Sequence, residues 1–283
     1  MSIQTVVILS VLFAAFLHAC WNLILRSSDD KLLGMSAIAL GHVPFGILGL
    51  ILFGVPNLES LNYIIASAFL HVFYMFFLLN AYKHAELSQV YPIARGLSPL
   101  IIVLLGTMFL GEYLSKYELS GIVCISIALI LYGIKIGLKA RADLKGFYFA
   151  AWTGCFIASY SVVDGYGVRV AQNAIGYTSA VDIVSAALLC LFLFIFKRKA
   201  FSGIRQQGQK TFWIGGSLGF LAYAIVLWAC LHAPISIVYT LRETSVLFAV
   251  LLATVFLKEK LTVSKILLIG VLCIGVGLIK FSL

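Results

Sequence analysis

Arginine stands twice inside apolar runs of helix length: Arg95 within Tyr91-Pro92-Ile93-Ala94-Arg95-Gly96-Leu97-Ser98-Pro99, and Arg242 within Tyr239-Thr240-Leu241-Arg242-Glu243-Thr244-Ser245. A guanidinium offers five N–H donors in a planar fork and keeps its charge, so each can hold a carboxylate or phosphonate of a ligand, or a carboxylate or carbonyl of another helix. Helical spacing puts Tyr91, Arg95 and Ser98 on one face, and Tyr239, Arg242 and Glu243 on another. The neighbours Arg242 and Glu243 diverge by about 100°, which makes their mutual pairing poor and predicts partners elsewhere for both. Pro99 removes the amide that would bond the Arg95 carbonyl, and Pro92 does the same at Ser88, so a kink with exposed acceptors is expected there.

Other polar residues in apolar runs extend the set. His18, Trp21 and Asn22 share a helical face, as do His71 and Tyr74. An indole, an amide and imidazoles suit a cavity for a polar or cationic small molecule, or simple hydrogen bonding between helices. The substrate-binding candidates are therefore Trp21, Asn22, Tyr74, Tyr91, Arg95, Tyr239, Arg242 and Glu243. Glu243, Asp164, His18 and His71 are candidate proton carriers. Asp164 is also a candidate arginine partner, or a solvated residue near a helix end. Asp182 and His42 are assigned to packing.

These residues need elements that can carry them. Of the 283 residues 62% are hydrophobic and 11% charged, and the mean hydropathy is +1.08, too apolar for a water-soluble globule. Runs of about 20 apolar residues read as spanning helices near 3–25, 32–54, 61–82, 86–110, 116–137, 146–168, 176–196, 210–231, 235–257 and 262–281. The expectation is an all-α integral membrane protein of ten transmembrane helices, multi-pass in a cell membrane, inner or plasma. A barrel is excluded because the runs do not alternate in short segments. The first run lacks a basic leader and is too long for a cleaved signal, so it reads as a retained helix. Six cysteines form no CxxC pair and read as packing residues.

The halves echo each other. His84-Ala85, Ser88 and Val90-Tyr91 match His232-Ala233, Ser236 and Val238-Tyr239, and Leu110-Gly111-Glu112-Tyr113-Leu114-Ser115 matches Leu257-Lys258-Glu259-Lys260-Leu261-Thr262. Two units follow, 1–137 and 146–283, joined by 138–145. Because five helices is an odd number, the second unit enters the membrane in the opposite sense, making an inverted repeat. With its Leu-Gly-Glu-x-Leu-Ser/Thr signature at the end of the fourth helix and a partner after the ninth, the chain resembles the drug/metabolite transporter superfamily of EamA type. The resemblance implies a ten-helix carrier that moves small metabolites by alternating access, with a cavity between the halves. Lys258 and Lys260 in the second signature, and Arg242-Glu243 in mid-helix, depart from the common pattern.

On the resemblance and the buried arginines together, the expected function is secondary transport of a small polar metabolite, an amino acid or a related zwitterion or organic anion. A multidrug or quaternary-cation exporter that relies on Glu243 and Asp164 is the alternative, and a non-transporting membrane protein the second. No P-loop, nucleophile elbow or HExxH is present, so neither an enzyme, a cofactor nor a metal site is expected. The expected partners are a small-molecule substrate and the lipid bilayer. The net charge of +9 speaks to topology and not to nucleic acid. The pairs Gly133/Gly137 and Gly215/Gly219 allow close helix contact and leave a homodimer open.

With the N-terminus inside, inner segments would hold only Lys116, Arg169 and Lys280, while outer loops would hold Lys135, Lys139, Arg141, Lys145, Lys197, Arg198, Lys199, Arg205 and Lys210. The positive-inside rule prefers the reverse, whereas the resemblance implies cytoplasmic termini. A single cysteine at position 198 in a cysteine-free background is accordingly expected to react with an impermeant maleimide only after the membrane is permeabilised.

Overall fold

A computed structural model of the chain describes residues 2–28, 30–140, 143–196, 203 and 208–282. Arg141, Lys197, Arg198, Lys199 and Arg205 of the charge count lie outside the described residues. Ten helices are long and apolar enough to cross a bilayer. They are α1 (Ile3–Arg26), α2 (Lys31–Phe53), α3 (Leu61–His84), α4 (Leu87–Phe109), α5 (Lys116–Lys139), α6 (Leu144–Ala171), α7 (Ala174–Phe196), α8 (Thr211–Cys230), α9 (Ile235–Phe256) and α10 (Val263–Ser282). The protein is an all-α multi-pass membrane protein. Its outer faces carry side chains such as Ile51, Phe69, Phe73, Phe76 and Leu267 exposed, as lipid contact requires.

Polar caps mark the turns. Asp30 accepts the Leu33 amide, and Ser115 with Glu118 closes a capping box at the head of α5, using amides that would otherwise lack partners. α3 packs on α6 and α1 on α8; α4 packs on α6 and α1 on α9; α3 packs on α7 and α2 on α8; α2 pairs with α7 and α5 with α10. Exchanging helices five apart maps these pairings onto one another, whereas α4 packs closely on α5 and α9 only slightly on α10. Close approach depends on small residues: a methyl carbon added at Gly41 would lie 2.0 Å from the Phe212 carbonyl oxygen at the start of α8. The pairs Gly133/Gly137 and Gly215/Gly219 face Ile93, Phe147, Ile38 and His42 of the same chain.

The two signature copies share one backbone. Gly111 and Lys258 both take positive φ, 62° and 54°. After each, a glutamate amide reaches back six residues, Glu112 to Gly106 at 3.1 Å and Glu259 to Ala253 at 3.3 Å. Their side chains then diverge. Glu112 accepts the Ile235 and Ser236 amides at 2.6 and 3.1 Å and so caps α9, whereas Glu259 pairs with Arg26 and Lys265.

The fourth span runs as one helix through both prolines, and Ser98 Oγ takes up the freed Arg95 carbonyl at 3.4 Å. The ninth span, expected as one helix over 235–257, is interrupted: α9 consists of Ile235–Arg242 and Ser245–Phe256. At the break the Glu243 and Thr244 amides bond carbonyls three residues back, and Thr244 Oγ1 donates to the Leu241 carbonyl at 2.7 Å. That hydroxyl competes for a carbonyl a regular helix would use, which tightens the turn.

A lysine in the left-handed region carries strain that glycine does not. Lys258→Gly is expected to raise stability by up to about 1 kcal/mol, and Gly111→Ala to lower it by about 1 kcal/mol, read as thermal unfolding midpoints in detergent.

Candidate functional site

At the centre, α4 meets the break in α9. Arg95 Nε lies 2.5 Å from Glu243 Oε2, both side chains almost wholly buried. Arg95 Nη2 donates to Ser245 Oγ at 2.9 Å. The guanidinium thus spans the interruption, with Glu243 on one side and the first residue of the following segment on the other. The Nε–Oε2 contact is close but off hydrogen-bond alignment, so it acts chiefly as an ion pair. In an apolar interior either charge alone would carry a large desolvation cost; together they present little net charge.

Arg242 turns the other way. It is 7% exposed, and its guanidinium carbon lies 5.6 Å from the centre of the Tyr223 ring and 5.5 Å from that of Tyr239. Its Nη1 is buried and has no hydrogen-bond acceptor among the described residues. Aromatic faces stabilise a cation while leaving its in-plane donors free.

Arg95 and Arg242 both border a cavity of about 660 Å³, together with His18, Trp21, Tyr74, Tyr91, Tyr160 and Tyr223. The cavity extends to Asp30, Lys31 and Lys83 at one end of the bundle. The other end is laced shut. Arg169 donates to the carbonyls of Cys230 and Ala233 at 2.8 and 2.9 Å, and approaches Glu112 to 3.5 Å. Asn57 donates to the Val170 carbonyl, and Asn173 to that of Phe53.

Residues 144–281 match the model of the EamA-like transporter family. Over this segment, just under half of the chain, the protein is similar to that family. A solved structure titled "Crystal structure of protein" aligns with a TM-score of 0.72 over 98% of this chain and 96% of that one, at 17% identity, a likeness of fold alone. No curated protein matches the sequence.

Of the residues singled out from the sequence, Trp21, Tyr74, Tyr91, Arg95 and Arg242 border the large cavity. Asn22 borders a smaller one of about 120 Å³ and donates to the His18 carbonyl at 2.9 Å. Glu243 and Tyr239 sit behind the wall, the first against Arg95 and the second beneath Arg242. His18 Nε2 lies 3.1 Å from the Tyr91 hydroxyl, and His71 stacks on Tyr160 at 4.1 Å. Asp164 lies within the matched segment, fully buried in α6 and well before its end. It accepts hydrogen bonds from Tyr177, at 3.0 Å, and from Tyr223, and no arginine pairs with it among the described residues.

His42 and Asp182, expected only to pack, border the cavity and approach each other to 3.2 Å. Tyr160, Tyr223 and Ser245 were not among the candidates. Nothing in their local sequence distinguishes them from other small or aromatic residues in apolar runs.

Removing one member of the central pair leaves a buried charge, which costs about 3 to 5 kcal/mol, while removing both does not. Glu243→Leu alone is therefore expected to be more destabilising than Arg95→Met with Glu243→Leu, as measured by a double-mutant cycle on unfolding that includes Arg95→Met.

Proposed function

We propose that the chain is a secondary transporter that moves a small polar metabolite bearing an acidic group, an amino acid or a related zwitterion or organic anion, by alternating access in a cell membrane. The observation that carries this reading is Arg242: a buried cation with an unpartnered donor, held between two tyrosines at a central cavity. Arg95 is a weaker anion receptor because Glu243 already offsets its charge. The two carboxylates on which a quaternary-cation exporter would rely are already engaged, Glu243 by Arg95 and Asp164 by two hydroxyls.

Alternating access needs one end open and the other closed. A cavity that reaches Lys31 and Lys83, opposite the lacing by Arg169, Asn57 and Asn173, fits one such state. The pairing of helices five apart supports two five-helix units of opposite sense that rock about the centre. By the positive-inside argument the open end faces the cytoplasm. A gradient would drive the cycle, with protons on Glu243, Asp164, His18 or His71 as one means of coupling.

In proteoliposomes Arg242→Gln is expected to lower counterflow of the transported anion by about 10- to 100-fold, the loss of one charged hydrogen-bond donor set, with protein yield unchanged. Counterflow equal to that of the unmodified chain would remove Arg242 from the site. The substrate itself can be found by a thermal-shift screen of amino acids, phosphonates and quaternary amines.

A further inference from the structure

The cavity holds a second polar patch that the anion reading leaves unused. His42 on α2 and Asp182 on α7 face each other, Nδ1 to Oδ1, at 3.2 Å. With Nδ1–H turned to the carboxylate, Nε2 is an acceptor. Three atoms here are buried without a hydrogen-bond partner among the described residues: His42 Nε2, Asp182 Oδ2 and Ser185 Oγ. Asp182 is 9% exposed, and all three residues border the cavity. Ser185 follows Asp182 by three positions and shares its face of α7.

The patch and Arg242 meet the same face of α8. His42 packs on Gly219, where an added methyl carbon would lie 2.5 Å from Nε2. Tyr223, four residues on and about 6 Å along the helix, lies beneath the Arg242 guanidinium. A positive receptor and a negative one are thus about one helical turn apart along a shared wall.

His42 Nε2 is turned onto the Gly219 backbone, so Asp182 Oδ2 and Ser185 Oγ are the groups left for a ligand, and a buried carboxylate calls for a cationic hydrogen-bond donor. A protonated primary amine supplies three N–H donors and the charge that offsets Asp182. A neutral amide would satisfy the acceptors and leave the carboxylate uncompensated.

We propose that Asp182 and Ser185, with His42 holding the Asp182 carboxylate, bind the ammonium group of the substrate while its acidic group lies on Arg242. This selects a zwitterion over a simple organic anion, and it rests on the assignment of Arg242 as the anion receptor.

Thermal-shift titration of the purified full chain tests both, using the common L-amino acids and aminomethylphosphonate against propionate, 4-methylpentanoate and methylphosphonate. At least one amino compound is expected to stabilise the unmodified chain at a concentration about tenfold or more below that of its des-amino counterpart, the effect of a charged hydrogen bond. Asp182→Asn is expected to erase that difference and leave the response to the des-amino acids intact; Arg242→Gln is expected to lose both responses. Ser185→Ala, a milder change that should fold where Asp182→Asn does not, is expected to reduce the difference severalfold. If des-amino acids stabilise the unmodified chain as well as their amino counterparts do, or if Asp182→Asn and Ser185→Ala preserve the difference, the ammonium site is overturned while Arg242 keeps its role. If neither class stabilises the unmodified chain, or if Arg242→Gln responds like it, the anion receptor fails and the ammonium site falls with it.

Discussion

The ion pair between Arg95 and Glu243 is the constraint to which the rest of the centre conforms. Two opposite charges in an apolar bundle must meet, because separation there is far more costly than in water. For Glu243 to reach α4 while its neighbour Arg242 faces the cavity, the two side chains must leave α9 in different directions. The tightened turn at Glu243 and Thr244 falls at this place, and Arg95 closes it by reaching Ser245 as well. Half-helix ends of this kind are where polar backbone and side chains can be tolerated at membrane depth.

One consequence is a division of labour between two residues of the same type. Arg95 serves largely as a strut, its charge offset within the chain. Arg242, stacked between tyrosines, keeps unsatisfied hydrogen-bonding capacity at the cavity. The aromatic rings stabilise its charge without occupying the in-plane donors. Tyr223, one of the two, also holds Asp164, which links α6, α7 and α8 around the same point.

The repeated signature shows how one backbone device can serve two ends of a molecule differently. Gly111 and Lys258 turn the chain in the same way, yet Glu112 caps α9 and helps close one end, while Glu259 holds Arg26 and Lys265 at the other. The closed end is fastened mainly by side chains that donate to carbonyls at helix ends, contacts that can be exchanged for water, and the Glu112 carboxylate near Arg169 keeps the Ile235 and Ser236 amides as partners. A bond to such a carbonyl is the kind a moving gate can make and break. The central ion pair is not.

The sequence alone determined the solvent, the number of spans and the presence of charge at mid-membrane. Apolar runs of bilayer length bounded by Lys, Pro and Gly have few other solutions, and the echo of Leu110-Gly111-Glu112 at Leu257-Lys258-Glu259 marks two turns that share a positive φ and a glutamate amide reaching back six residues. It also required that Arg242 and Glu243 find separate partners, since adjacent residues of a helix point apart. Which partners these are was decided by tertiary structure. Pairing Arg95 with Glu243, freeing Arg242, burying Asp164 between Tyr177 and Tyr223, and bringing His42 to Asp182 all depend on which helices become neighbours. In an apolar bundle the hydropathy pattern is nearly the same on every face, so periodicity carries little information about which face meets which. The break in α9 was hidden for a related reason: no proline or glycine marks it, and it arises from the pull of two buried charges in different directions.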